Sequence, residues 1–312
     1  MKHTVDFRFF PGYTRKSVTF TMDDGNVTWD KVLLDIVRPC GLRGTFNLCS
    51  HILKAFDAAG YRDFYRDQEI ANHVRFHPMA MTPARADFSF SDAPLDPANA
   101  VERTFYKTEI EGYYTFTERG RVYGVATVPT YLSFTEQSRA ALEDIFGEGR
   151  VTGFVWPYSE QDNEELREVL RNSGVSYMRK TGCVFDSLQY HFPPDRMAWS
   201  YTTDSYHLLA CAKDYIAAAD DGELRFFCFG VHAVDFERAG NWEDLREVCR
   251  LIGNRPEEYY YAPVIELFRY EDAVRSLVVT DEEVINPSDV TLYGVVDGRR
   301  VELLPHSAYR FA

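Results

Sequence analysis

Closely spaced cysteines, long apolar runs and an excess of positive charge are all missing from this sequence of 312 residues. Its 6 cysteines include no Cys-x-x-Cys pair, which argues against a zinc ribbon or a dithiol redox site. No segment approaches a membrane-spanning run of about 18 apolar residues, and the first residues lack the apolar core of a signal peptide. We therefore expect a cytoplasmic protein without a membrane partner.

Charge excludes another class of partner. The sequence has 34 basic and 48 acidic residues, for a net charge of −14. Nucleic acid is not expected as a partner, because phosphate binding needs a basic surface. The sequence does not determine the oligomeric state.

Strand-like and helix-like segments alternate through most of the chain. Residues 18–22 form an apolar, β-branched run that predicts a buried strand, and residues 32–37 carry apolar side chains at helical spacing. Residues 44–48 then predict a second strand. Alternation at roughly 20 to 30 residues per unit is typical of a parallel α/β sheet or barrel, in which loops after the strands carry the active site.

Two groups of side chains suited to metal binding stand out. Asp23 and Asp24 end the first strand, where adjacent carboxylates repel each other unless a cation or a proton holds one of them. His73 and His77 are four residues apart, which on a helical turn places both rings on one face. Each group alone has a plainer interpretation, as a turn or as part of a surface helix. Together they indicate a metal site.

The motifs around these residues resemble those of a known family. Residues 21–25 (Thr-Met-Asp-Asp-Gly), residues 44–46 (Gly-Thr-Phe) and residues 69–78, with their two histidines, are similar in order and spacing to the first part of a polysaccharide deacetylase with a NodB homology domain (carbohydrate esterase family four). The resemblance covers roughly residues 17–275. It implies the family's fold, a distorted (β/α)7 barrel.

The resemblance also implies a role for each residue. In the family, the first aspartate acts as general base, while the second aspartate and both histidines bind a divalent metal, usually zinc. Carried over, Asp23 would be the base and Asp24, His73 and His77 the metal ligands. Three N/O ligands leave positions open for water and a substrate carbonyl. The same ligands suit non-haem iron oxygenases, but those enzymes generally use a β-barrel rather than alternating β/α units.

A third motif is altered. Trp156-Pro157-Tyr158 resembles the family's Arg-x-Pro-Tyr segment, which implies substrate contacts for Trp156 and Pro157 and an oxyanion-binding backbone N–H for Tyr158. The arginine that pairs with the catalytic base is replaced by Val155. Arg179, at the end of the next strand-like segment, is a candidate replacement from a neighbouring loop.

The family's fourth and fifth motifs have possible counterparts at Trp199 and His232. Trp199 lies near the family's fourth motif, which implies a sugar-stacking wall, with Asp204 as its carboxylate; a core tryptophan is the alternative. His232 ends a late apolar strand and resembles the general acid of the fifth motif, although a core histidine remains an alternative. Asp235 or Asp204 would orient it.

Two segments interrupt the alternating pattern. Residues 79–132 form an insertion after the third strand, with a predicted β-hairpin in its second half, and we expect it to shape substrate access or to be a decoration. Residues 278–312 predict a small C-terminal β appendage with a tight Asp-Gly turn. The expected division is a deacetylase-like barrel over residues 1–277 and a β extension over residues 278–312.

The implied function is metal-dependent hydrolysis of an N- or O-acetyl group on a carbohydrate or sugar derivative, with Zn²⁺ as the expected cofactor. One alternative is a C–N hydrolase that acts on a small amide or cyclic ureide. Another is an inactive carbohydrate-binding barrel, motivated by Val155 in the arginine position.

Overall fold

The computed structural model describes residues 3–82, 85–159, 164–183 and 190–311. Its strands, in chain order, are β1 (Val5–Phe9), β2 (Lys16–Asp24), β3 (Thr45–Leu48), β4 (Glu69–Asn72), β5 (Met79–Ala80), β6 (Ser89–Ser91), β7 (Thr104–Lys107), β8 (Tyr113–Glu118), β9 (Arg121–Ala126), β10 (Gly153–Val155), β11 (Tyr177–Cys183), β12 (Trp199–Tyr201), β13 (Arg225–Val231), β14 (Tyr259–Tyr261), β15 (Val278–Val279), β16 (Glu283–Asn286), β17 (Leu292–Val296), β18 (Arg299–Leu303) and β19 (Ser307–Arg310).

The helices are α1 (Val27–Val37), α2 (Ala58–Phe64), α3 (Val128–Phe146), α4 (Glu164–Asn172), α5 (Leu208–Ala217), α6 (Ala233–Ala239), α7 (Trp242–Ile252) and α8 (Val264–Arg275). Among the described residues, no helix has the length and apolar character needed to cross a membrane.

The central sheet is parallel and curls into a barrel. Its strands lie in the order β12-β11-β10-β4-β3-β2-β13, and β14 adds to the start of β2. The segment after β12 reaches β13 at the other end of this path, where the Thr202 N–H donates to the Cys228 carbonyl at 2.7 Å and Thr203 pairs in parallel with Phe229. The path of strands thus returns to its start, and the predicted (β/α)7 barrel is confirmed.

The alternation of side chains along β2 explains how this strand serves two environments. Val18, Phe20 and Met22 lie in the main apolar core, which also contains residues of α1. The intervening side chains Thr21 and Asp23 bond to Asn47 on β3. Because successive strand residues point to opposite faces, β2 seals the core with one face and carries polar groups on the other.

The insertion forms a sheet of its own. Five strands pair in the order β5-β9-β8-β7-β6. The predicted hairpin is present, with Glu118 opposite Arg121 in the antiparallel pair β8 and β9. The sheet ends at Ala126, and α3 begins at Val128, so the barrel resumes slightly earlier than residue 132.

The C-terminal strands form two small sheets, β1-β17-β18 and β15-β16-β19. The strand β1, which the expected division at residue 277 placed with the barrel, pairs antiparallel with β17, with Val5 opposite Val296. The reason is that Phe7 packs into the apolar cluster that holds Leu292 and Val296, so the first strand completes the C-terminal sheet.

Candidate active site

The predicted catalytic residues follow four barrel strands. Asp23 and Asp24 end β2, His73 directly follows β4, Tyr158 follows β10 and His232 directly follows β13. Because the carboxyl ends of parallel strands meet at one edge of a barrel, these residues converge there. A cleft of about 710 Å³ opens beside them and is lined by residues that include both aspartates and His77 and His232.

Asp24, His73 and His77 form a compact group of possible metal ligands. Asp24 Oδ1 lies 3.6 Å from His73 Nε2 and 3.7 Å from His77 Nε2. The two Nε2 atoms are 3.0 Å apart. The Nδ1 atom of His73 lies 3.0 Å from the carbonyl oxygen of Val155, which can only accept, so Nδ1 carries a proton and Nε2 is the ring nitrogen left to face a metal.

The protonation of His77 also suits a ligand. Burial, followed by the neighbouring His73, lowers the pKa of His77 to about 3. Its ring is therefore neutral at physiological pH, and a neutral imidazole is the form that binds metals.

The helical turn predicted for the two histidines is wrong. The segment is a loop in which Val74, Phe76 and His77 adopt positive φ angles of 62°, 65° and 49°. A right-handed helix cannot contain such residues, because they place the backbone in the left-handed region. The side chain of Asn72 anchors the start of the loop by accepting a hydrogen bond from the Val74 N–H at 3.0 Å. The rings of His73 and His77 lie together because the residues with positive φ reverse the direction of the chain between them.

Asp23 is a buried, ionised carboxylate. Its Oδ1 accepts hydrogen bonds from Arg179 and, at 2.8 Å, from Asn47. Burial alone would raise the pKa of Asp23, but the positive charge of Arg179, with smaller effects of His73 and His232, lowers it to about 2. The other oxygen, Oδ2, lies 3.9 Å from His73 Nε2, beside the possible metal ligands.

Arg179 reaches Asp23 across the barrel. It lies within β11, not in a loop, and it pairs with Val155 of the adjacent strand β10. Its side chain is fully buried. The cation that the third motif lacks at Val155 is thus supplied from the next strand, level with it in the sheet.

Asp235, not Asp204, orients His232. The Nδ1 atom of His232 lies 2.8 Å from Asp235 Oδ2, and Asp235 is held in turn by Arg238 at 3.0 Å. Asp204 instead contacts the ring of His207 at 2.8 Å. Of the two carboxylates considered from the sequence, only Asp235 has a hydrogen bond to His232 among the described residues.

The carboxylates around His232 stabilise its protonated form. Burial alone would lower the pKa of His232, but the hydrogen bond with Asp235 and the negative charges of Asp23 and Asp24 raise it above its ordinary value of 6.5. Its Nε2 atom lies 3.7 Å from Asp24 Oδ2, so the imidazolium would sit at the edge of the metal-ligand group.

The tryptophans expected to contact substrate are in the core. Trp156 and Trp199 are only 1% and 2% exposed, and Pro157 is also buried. Trp199 packs against Phe226 and Phe268, with ring centroids 5.7 and 5.3 Å apart. The expectation that Trp199 forms a sugar-stacking wall is wrong, because neither face of a core ring is available to a sugar.

Two residues near the site were missed at the sequence level. Asn47 donates to Asp23, and strand alternation from Thr45 was a signal that could have placed it on the polar face of β3. Tyr123 of the insertion lies 5.6 Å from the ring of Tyr158, which in turn lies 4.5 Å from the ring of His77. Nothing in the sequence pattern indicated that Tyr123 would lie beside Tyr158.

Comparison with known proteins identifies the family. The sequence profile described as polysaccharide deacetylase matches residues 12–178, which is more than half of the chain. The chain belongs to the polysaccharide deacetylase family. No protein with a curated description matches this deacetylase family member by sequence.

Several solved structures are similar to this polysaccharide deacetylase family member at low identity. A candidate polysaccharide deacetylase from Mycobacterium smegmatis is 16% identical, covers 87% of this chain and 96% of its own, and has a TM-score of 0.51. A CE4 esterase from Streptococcus mutans is 16% identical over 80% of this chain and 86% of its own, with a TM-score of 0.47. A peptidoglycan deacetylase from Bacillus subtilis is 15% identical over 83% of this chain and 92% of its own, with a TM-score of 0.46.

Proposed function

We propose that this family member is a divalent-metal-dependent hydrolase that removes an N- or O-acetyl group from a carbohydrate or sugar derivative. The observation that carries the proposal is a single constellation. The ligand group Asp24, His73 and His77 lies between an ionised carboxylate, Asp23, and a histidine held by a carboxylate, His232. Family membership supports a carbohydrate as the substrate.

The donor set fits a divalent ion. One carboxylate oxygen and two imidazole nitrogens lie within 4.8 Å of one another. The Nδ1 contact of His73 leaves its Nε2 atom for a metal, and the low pKa of His77 keeps that ring neutral. This combination is typical of zinc sites that keep a position open for substrate or water. An ion bound there would polarise the acyl carbonyl and increase the acidity of bound water.

The protein's own groups account for the proton transfers. Asp23 would take a proton from the attacking water, while Arg179 and Asn47 hold its carboxylate in place. The hydroxyl adds to the acyl carbon, and the bond from that carbon to the sugar nitrogen or oxygen breaks. His232 would give its proton to that leaving atom. The backbone N–H of Tyr158 is the proposed donor to the oxyanion.

Metal analysis combined with an acetate-release assay tests this function. We expect close to one equivalent of zinc per chain and acetate release from N- or O-acetylated sugars. Asp24→Ala should lose both, whereas Asp35→Ala, at a surface carboxylate that is 62% exposed, should retain both. Full metal content in Asp24→Ala would contradict the ligand assignment.

The same assay separates the alternatives. Turnover of small amides or cyclic ureides, without acetate release from sugars, would favour the C–N hydrolase. Sugar binding without metal or turnover would favour an inactive barrel. The main reason for that last alternative was the missing arginine, and Arg179 beside Asp23 weakens it.

A further inference from the structure

The loop between the two histidine ligands is strained. Val74, Phe76 and His77 all have positive φ angles. Side chains with a Cβ rarely adopt this conformation, and a β-branched residue such as Val74 does so least of all. Such residues persist where the surrounding structure holds them, and they often do so at functional sites. The strain here lies between His73 and His77, so whatever holds the loop also sets the distance between the two rings.

Aromatic side chains from outside the loop hold its centre. The ring of Phe76 stacks against Tyr113 of the insertion strand β8, with centroids 6.0 Å apart. It also meets Phe134 of α3 edge-on at 5.1 Å. Tyr113 and Phe134 contact each other at 5.4 Å, so the three rings close a triangle. The insertion therefore packs directly onto the residue that precedes His77.

Gly124 makes room for this contact. A Cβ atom at Gly124 of β9 would lie 2.3 Å from the hydroxyl oxygen of Tyr113. Glycine weakens a strand, and its presence within a strand often marks a close approach of another group. Here the approaching group is the phenol that contacts Phe76.

The neighbouring tyrosine on β8 has a different role. Tyr114 points to the opposite face of the insertion sheet and contacts Phe90 at 5.3 Å and Phe105 at 6.2 Å. Two adjacent tyrosines of one strand thus serve different partners. Of these two tyrosines, only Tyr113 contacts the loop between the histidines in the described ring pairs.

We propose that the insertion sheet is a positioning element for the metal site and that Tyr113 is its positioning residue. By holding Phe76 against α3, Tyr113 keeps the loop in its left-handed conformation and keeps the two Nε2 atoms 3.0 Å apart. Without this ring the loop can relax, and the histidines separate before a metal binds. The inference rests on the proposed function, because it requires His73 and His77 to be ligands.

Zinc affinity of the full-length protein, measured by competition with a chromogenic chelator, tests the inference without using activity. We expect Tyr113→Ala to raise the Kd for zinc about 10- to 100-fold, the range typical of lost supporting contacts around a metal site. Tyr113→Phe keeps the ring and should stay close to the wild-type Kd. Tyr114→Ala is the matched control and should also stay close to it.

A second variant covers the case in which Tyr113→Ala does not fold. Gly124→Ala leaves Tyr113 in the chain but displaces its phenol, so it should also raise the Kd for zinc. Wild-type affinity in a folded Tyr113→Ala, or an equal loss in Tyr114→Ala, would overturn the inference and leave the proposed function intact. A Kd that rises as expected, in a protein that releases no acetate, would support the inference while the proposed reaction fails.

Discussion

The two ends of the barrel each contain a buried carboxylate, and the two differ in their partners. Asp23 lies near the end of β2 and is 3% exposed, and Glu69 begins β4 and is 8% exposed. Asp23 contacts the cation of Arg179. Among the described residues, Glu69 accepts hydrogen bonds only from neutral donors, namely Thr45 at 2.7 Å, Tyr177 at 2.8 Å and the Ile265 N–H at 3.0 Å.

The difference in partners separates their pKa values. Burial raises the pKa of Glu69 to about 7, and its neutral donors only partly oppose this. Burial acts on Asp23 in the same direction, yet Arg179 brings its pKa to about 2. Burial alone therefore does not make a carboxylate a general base, whereas a buried cation keeps it ionised and oriented.

One strand supplies a partner to each carboxylate. Tyr177 and Arg179 are two residues apart on β11 and so point to the same face. Tyr177 donates to Glu69 and Arg179 to Asp23. Glu69 also bonds to β3 and to the start of α8, so we expect it to contribute to stability, in contrast to the catalytic role proposed for Asp23.

The largest expected effect is on activity at Asp23. Asp23→Asn should lower kcat by about 10²- to 10⁴-fold, because an amide cannot accept the proton of the attacking water. Bound zinc should remain, since Asp23 is not an assigned ligand. The matched change at the opposite end, Glu69→Gln, should leave kcat per folded molecule near wild type. Equal losses in both variants would contradict the separation of roles.

Removal of the cation should cost stability. Arg179→Met leaves the buried carboxylate of Asp23 without a counter-charge, and we expect the free energy of unfolding to fall by about 3–5 kcal/mol. Urea denaturation measures the change. The double variant Arg179→Met with Asp23→Asn should recover part of the loss, because it contains no buried charge at this position. A double variant less stable than the single one would argue against an ionised Asp23.

The ionisation of Glu69 should change the free energy of unfolding with pH in the sense opposite to that of Asp23. The pKa of Glu69 lies at about 7, above its ordinary value of 4.5, so the folded protein binds this proton more tightly than the unfolded chain does. The free energy of unfolding should therefore fall by about 3 kcal/mol as the pH rises from 4.5 to about 7. Glu69→Gln should reduce the slope of the profile between pH 4.5 and 7 in urea titrations. An unchanged profile would show that Glu69 is not its source.

The smallest effect concerns His232. Asp235→Asn removes the hydrogen-bonded carboxylate that raises the pKa of His232, so the pKa should fall. A general acid must be protonated, and the alkaline limb of the kcat/KM profile should accordingly move to lower pH. Asp204→Asn is the control, because Asp204 contacts His207 instead. A shift to higher pH in Asp235→Asn would refute the role of His232 as the acid.

Local patterns were sufficient for much of this structure. Alternating strands and helices predicted a parallel α/β sheet or barrel, and the family resemblance implied the barrel. The hairpin that turns between Glu118 and Arg121 was predicted from its flanking aromatic strands. The family motifs brought Asp24, His73 and His77 to attention, and the structure brings them together. These features depend on residues close in sequence, so a single pass along the chain can find them.

Other features were not predictable from local patterns. The positive φ at Val74 is contrary to the preference of a β-branched residue and depends on surrounding contacts. Whether Trp199 is core or surface depends on the helix that packs over it. The pairing of β1 with β17 joins residues from opposite ends of the chain.

The sequence by itself determined the alternating architecture and the order of the candidate metal-binding and catalytic side chains, because strand periodicity and motif spacing are local properties. Only the tertiary structure decided which of these side chains act together. The contact of Arg179 with Asp23 crosses the barrel, and the contact of Tyr113 with Phe76 joins the insertion sheet to the loop between the two histidines. Charge pairing and ring packing depend on distances in space, and those arise only when the barrel closes and the insertion packs against it.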